Sequence, residues 1–309
     1  MRLILAPMEG LTDPPMRRLL TQVGQYDWCV SEFIRVTNQI LPAHVIYGYC
    51  PELHYGGCTA SGTPLHVQFL GNHPTLLAEN AALAAELGAP AIDLNFGCPA
   101  KTVNKHRGGA VLLDETELIH QIVSAVRRAV PAHIPVSAKM RLGYLDNNPA
   151  LDNALAIEAA GAAWLTVHAR TKADAYRPPA YWDLLKPLRE QLQIPLIANG
   201  EIWTVADAMR CQMESGCVDL MLGRGAVTRP DLVNQIRGRE ALSWTELLQL
   251  QLEFLDSPAK TEQGMVGRYK QWLGMLTQGY ADAPMLWEQV KKIRELEEIR
   301  TVLYHSIQV

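Results

Sequence analysis

Short β-forming runs alternate with helically spaced apolar residues through the first three quarters of the chain, and this alternation most restricts the fold. It implies βα units around a parallel sheet, because parallel neighbours need a long crossover, usually helical. Strand-like runs fall near residues 3–7, 28–33, 65–70, 91–95, 136–141, 164–168, 195–199 and 218–222. Between them, Leu76, Leu77, Asn80, Ala81, Leu83, Ala84 and Leu87 keep helical spacing up to a capping Gly88. Leu118, Ile119, Ile122, Val123 and Val126 repeat the pattern, and Thr204 with Asp207 opens a further helix that Gly216 ends. Eight such units predict a (β/α)8 TIM barrel, a fold of about 250 residues.

Strand-like runs stop after Leu222. Ser243-Trp244-Thr245-Glu246 is a capping box, and a helical tail follows, with breaks around Ser257-Pro258 and Ala283-Pro284. The chain therefore divides into a barrel over 1–241 and a smaller all-helical domain over 242–309. The plainer alternative is a tail that only pads the barrel wall.

Composition narrows the class. With 309 residues, 48% hydrophobic and 19% charged, the chain is an ordinary globular protein. No apolar run approaches a membrane span, and Pro7 and Glu9 interrupt the opening run before it resembles a signal peptide, so the expected location is the cytosol. The six cysteines form no Cys-x-x-Cys pair, so reduced thiols and no metal are expected. A net charge of −4 argues against a basic nucleic-acid-coating surface. The tail alone has seven Lys and Arg against nine Asp and Glu, so an RNA partner would need a local basic patch.

In a barrel of this kind, groups just beyond the strand C-termini converge on one mouth. Pro7-Met8-Glu9-Gly10 follow the first strand, and the second ends in Glu32 with Arg35 just beyond. Gln68 lies in the third, and Asn95-Phe96-Gly97-Cys98-Pro99 end the fourth. Lys139 and Arg141 belong to the fifth, His168 and Arg170 to the sixth, Asn199-Gly200-Glu201 to the seventh and Gly223-Arg224-Gly225 to the eighth. The last two clusters suit a phosphate, since glycines let backbone N–H groups approach an anion and Arg224 adds charge. Read singly, Gly200 and Gly225 are only turn residues.

Cys98 sits on a loop at the catalytic end of a strand, where a thiol is better placed for chemistry than for packing. A nucleophile would need a lowered pKa and a basic partner, whereas an unperturbed thiol near 8.5 can act as an acid. The nearby Lys101, Lys105, His106 and Arg107 would lower that value, so the residues alone leave both roles open. Lys139, inside a strand, is costly to bury unless an anion meets it.

Five segments, in order, resemble the tRNA-dihydrouridine synthases: Leu5 to Asp13, Leu94-Asn95-Phe96-Gly97-Cys98-Pro99-Ala100-Lys101, Lys139 to Gly143, His168 to Thr171 and Asn199 to Ile202. The Asn-x-Gly-Cys-Pro segment is the most specific. Arg35 and Lys270-Gln271-Trp272 look most like the bacterial C subfamily, which modifies uridine 16. Phe96 and Ala100 depart from the small and hydroxylated residues more usual beside the cysteine.

The resemblance implies FMN across the mouth and NADPH as reductant, with hydride reaching C6 of a flipped-out tRNA uracil. Cys98 then protonates C5, which selects the acid role. It also implies that Pro7, Met8 and Glu9 line the flavin ring, that Gln68 bonds its pyrimidine edge, and that Lys139 and His168 lie beside it. Asn199, Gly200, Glu201, Gly223 and Arg224 would hold the phosphate end. Asn95 would contact the uridine, Arg141, Arg170 and Tyr176 would face the substrate loop, and Lys270 and Trp272 would offer tRNA a cation and a stacking surface. No second copy of the chain is required. The competing readings are an FMN barrel acting on a free pyrimidine and a tRNA-binding protein without catalysis.

Overall fold

The computed structural model describes residues 1–259 and 261–308. Its strands are β1 (Leu3–Leu5), β2 (Trp28–Val30, resumed at Ile34–Arg35), β3 (Leu65–Leu70), β4 (Ala91–Phe96), β5 (Val136–Gly143), β6 (Leu165–Thr171), β7 (Leu196–Asn199) and β8 (Asp219–Leu222). All pair in parallel, and β1 bonds both β8 (Leu3 opposite Leu220) and β2 (Ile4 opposite Trp28). With β2 on β3 (Cys29 opposite Leu65), the sheet closes into a (β/α)8 barrel.

The second strand differs from the expected unbroken run over 28–33. Val30 lies opposite His66 and Ile34 opposite Phe69, so three residues face two and one is extra. Such an extra residue bends a strand and re-aims its side chains. Here Phe33 reaches the mouth.

Strand periodicity sorts the side chains into two populations. Leu3 and Leu5 join the large core beneath the helices, whereas Ile4, Ala6, Trp28, Val30, Ile197 and Met221 form a separate cluster. These six alternate with the helix-facing residues on β7, β8, β1 and β2 and fill that half of the barrel interior. On β3 to β6 the alternate positions are polar: Gln68, Asp93, Asn95, Ser137, Lys139, Arg141, Thr166, His168 and Arg170. At the other end His66 stacks on Trp28, with ring centroids 5.0 Å apart, and Trp164 lies 5.4 Å from His66.

The capping signals act where expected. Thr204 and Asp207 exchange both capping-box bonds ahead of the helix Val205–Ser215, and Gly216 ends it in the left-handed conformation with φ 69°. Ser243 and Glu246 do the same for Trp244–Leu255. Glu262–Leu276, Ala283–Val290 and Leu296–Gln308 complete the tail. Phe254, Tyr269, Trp272, Leu273, Ile299 and Leu303 are buried there. The tail meets the barrel beside β8, where the Trp272 indole N–H donates to the Val227 carbonyl at 3.1 Å and the Tyr280 hydroxyl to Asp231 at 2.8 Å. Among the described residues no helix is long and apolar enough to cross a membrane.

Candidate active site at the barrel mouth

A cavity of about 330 Å³ opens at the C-terminal ends of the strands, and all eight strands or their loops line it. Pro7, Met8 and Glu9 come from the first loop, Phe33 from the second, Gln68 from β3, and Asn95 and Cys98 from β4 and its loop. Lys139, Arg141, His168 and Tyr176 follow, then Asn199, Gly200 and Glu201, and finally Gly223 and Arg224. The convergence arises because successive parallel strands end at one rim.

The cysteine loop is held from several directions. Asn95 Oδ1 accepts from the backbone N–H groups of Gly97 and Cys98, each at 2.9 Å. Asn104 Nδ2 donates to the Cys98 carbonyl at 2.8 Å, and the Ala110 N–H donates to the same oxygen at 3.1 Å. Gly109 takes φ 67°, and a Cβ there would stand 2.9 Å from that of Cys98, so only glycine lets the two loops close. Cys98 is half-buried on the cavity wall. Burial pushes its thiol upward and Glu9 adds to the rise, outweighing the pull of the Ala100 N–H, Arg141 and Lys139. A thiol shifted this way keeps its proton at neutral pH.

A buried polar chain lies under that loop. Asn95 Nδ2 donates to Gln68 Oε1 at 2.8 Å, Gln68 Nε2 to Asp93 Oδ2 at 2.6 Å, and Ser137 Oγ to Asp93 Oδ1 at 2.6 Å. Burial raises the Asp93 carboxyl despite these donors and Lys139. Lys139 is pushed down to about 8 by burial and Arg141, against the opposing pull of Asp93 and Cys98. His168 is driven well below its ordinary range by burial and then by Arg141, Lys139, Arg170 and Arg224, so its imidazole is neutral at pH 7.

The rim over β7 and β8 is cationic and glycine-rich. Gly200 has φ 115°, and a Cβ on it would meet His168 Cδ2 at 2.7 Å. At Gly225 a Cβ would fall 2.1 Å from the Ile202 carbonyl. Arg224 pairs with Glu201 at 2.8 Å and stacks between the Tyr176 and Trp203 rings, 5.0 Å from each centroid. Arg141 lies 5.1 Å from the Tyr176 centroid, and its Nη1 donates to the Thr171 and Ala175 carbonyls at 3.0 and 2.9 Å. Its Nε donates to Gly97 at 2.9 Å, so one guanidinium ties the cysteine loop to the Tyr176 loop. The Glu201 carboxylate faces two arginines, so any anion bound here would meet glycines, backbone and Arg224 rather than that side chain.

Four expectations require correction. Arg170 does not face a substrate: it is wholly buried, pairs with Glu201 at 3.1 Å and donates to the Pro179 carbonyl at 3.1 Å, bracing the rim from beneath. Trp272 offers no stacking surface, because it is also wholly buried and packs edge-on against Phe254. The Lys270 ammonium is spent on the carbonyls of Lys291, at 3.0 Å, and Ile293. Arg35 lies in the resumed part of β2 opposite Leu70 and does not line the cavity. Asn104, Asp93 and Trp203 were not singled out from sequence. Asp93 carried a usable signal, two positions before Asn95 and so on the same face of β4.

A model of the dihydrouridine synthase family matches residues 4–273. The tRNA-dihydrouridine(16) synthase of Pseudomonas syringae pv. tomato is 51% identical over 311 residues, covering 98% of each chain. That of Pseudomonas putida is 52% identical over 317 residues, covering 100% of this chain and 98% of its own, and that of Shewanella oneidensis is 48% identical over 306 residues. Among solved structures, morphinone reductase overlays with a TM-score of 0.55 at 14% identity, covering 78% of this chain and 87% of that one. A 2-naphthoyl-CoA reductase complex overlays at 0.62 with 11% identity, covering 88% of this chain and 56% of that one. Identities this low speak to the barrel alone. The family match over most of the chain and the end-to-end relatives agree, and the chain belongs to the dihydrouridine synthase family.

Proposed function

We propose that this protein reduces uridine 16 of tRNA to dihydrouridine, using FMN as cofactor, NADPH as reductant and Cys98 as proton donor. The observation that carries the reading is the Cys98 thiol sharing one cavity with Lys139 and Arg224, where burial pushes the thiol upward.

The residues fit a flavin phosphate. Lys139 reaches the cavity with no side-chain hydrogen bond among the described residues, a cation awaiting an anionic or carbonyl partner. At Gly223 a Cβ would meet only Met8 Sδ at 3.6 Å and Ala6 Cβ at 3.9 Å, both on the cavity wall, so the glycine keeps that space open. When bound, FMN supplies the hydride for C6 of the uracil. Gly200, Gly223 and Arg224 would hold the phosphate, and Pro7 and Met8 would line the ring. Lys139 would place positive charge at the pyrimidine edge, and neutral His168 would lie beside it without adding charge.

Cys98 delivers its proton to C5, and the upward shift of its thiol keeps that proton available at neutral pH. Asn95 has two N–H bonds on Nδ2 and gives one to Gln68, leaving the other for a uracil carbonyl. Tyr176, 50% exposed at the rim, suits the substrate loop. One chain builds the whole cavity, so a monomer suffices.

The helices from residue 242 serve as the tRNA-holding domain in this reading. With Lys270 and Trp272 engaged internally, and Lys291 paired with Glu288, the exposed Lys292 and Arg294 would supply a local basic contact on the described part of the tail. Purified protein supplied with FMN, NADPH and unmodified tRNA should yield dihydrouridine at position 16. Dihydrouridine at 17 or 20 instead would overturn the assigned position, and none at all would overturn the function.

A further inference from the structure

The first mouth loop, Pro7 to Thr12, supplies Pro7, Met8, Glu9 and Leu11 to the cavity, yet part of its backbone is held by the helical tail. Arg268, in the helix Glu262–Leu276, donates from Nη1 to the Gly10 carbonyl at 2.8 Å and from Nη2 to the Leu11 carbonyl at 3.0 Å. Its Nε donates to Asp13 Oδ2 at 2.9 Å, while Asp13 Oδ1 caps the helix Pro14–Val23 by accepting from Met16 at 3.1 Å. Gly10 is pinned at its other pole, its N–H donating to Glu32 at 2.6 Å, and it takes φ 71°. Arg17, from the barrel, holds only the next carbonyl, Thr12, at 2.9 Å. A planar guanidinium can meet two carbonyls and a carboxylate at once, and each bond is charge-assisted.

We propose that Arg268 is a positioning residue of the cofactor site, through which the helical tail sets the first mouth loop. The tail is then part of the cavity's construction and not only a handle for RNA. This rests on the flavin reading of the cavity, so the test includes a readout that needs no flavin.

Arg268→Ala and Arg268→Lys in the full chain are compared with wild type without tRNA, by FMN titration, by NADPH oxidation and by hydrogen exchange of residues 8–12. Losing three charge-assisted bonds should weaken FMN binding about tenfold in the Ala variant and slow tRNA-free NADPH oxidation, with Lys between. Exchange at Leu11 and Thr12, whose N–H groups donate to Met8 at 2.9 and 3.0 Å, should quicken. Wild-type FMN affinity, turnover and exchange in Arg268→Ala would overturn the proposal, even if tRNA binding fell. If wild type binds no FMN, the flavin reading fails, and unchanged exchange then overturns the clamp separately. Should Arg268→Ala not fold, Asp13→Asn keeps the helix cap and removes the charge, and wild-type exchange in that variant is equally contrary.

Discussion

Asn95 Oδ1 accepts the backbone N–H of Cys98 at 2.9 Å, so an amide at the end of β4 fixes where the thiol stands. The same oxygen holds Gly97, and the Nδ2 end is anchored through Gln68 to buried Asp93. Asn95→Ala leaves two partly buried donors unmet, a cost of about 1–3 kcal/mol each. Dihydrouridine formation in single turnover should fall roughly tenfold or more, while FMN binding persists. Asn95→Asp retains the acceptor and should recover part of the loss. Equal rates for Asn95→Ala and wild type would show that the loop needs no such anchor.

Lys139 gives a pH signature. With its folded-state value pushed down to about 8 and an ordinary value of 10.5, the unfolded chain binds more protons than the folded one between those limits. Stability of the FMN-free protein therefore gains from this group as pH rises from about 8 to 10.5, and the gain is absent below that window. Lys139→Met should remove an increment on the order of 1–3 kcal/mol from the difference between pH 7.5 and pH 10.5. Parallel urea titrations of both proteins measure it, and identical pH slopes would show Lys139 to be unperturbed.

Gly200 offers a steric test. A methyl at this position meets the His168 ring at 2.7 Å and must sit at φ 115°, where L-residues are strained. Gly200→Ala should purify with much less FMN than wild type and bind added FMN at least tenfold more weakly. Full flavin occupancy in the variant would remove this rim from the binding site.

The tail separates packing from recognition. Trp272→Ala should cost about 3–5 kcal/mol in denaturant unfolding, because it empties a buried site. Lys292→Ala with Arg294→Ala, both exposed, should leave stability within about 0.5 kcal/mol and weaken tRNA binding in a salt-dependent way. Unchanged tRNA affinity in that double variant would place the basic contact elsewhere.

The barrel was readable because β-forming runs and capped helices alternate with few exceptions, and strand ends must share a rim. Cys98 and Arg224 follow from that rule, since position after a strand is a sequence property, and Lys139 follows from its place on the inward face of β5. The interruption of β2 was not readable, because one extra residue shows only against its partner strand. Arg170 shares its face with His168, but its neutralisation by Glu201 depends on a loop 31 residues later. Trp272 and Lys270 lie on helix faces whose burial is decided by neighbouring helices. Arg268 meets Asp13 across a separation of 255 residues, which no local pattern announces.

Cys98→Ala is the most direct measurement, because it removes one sulfur from a cavity that is otherwise kept whole. The variant should bind FMN and tRNA and oxidise NADPH as wild type does, yet form almost no dihydrouridine. A normal yield of dihydrouridine from that variant would contradict the proton-donor role.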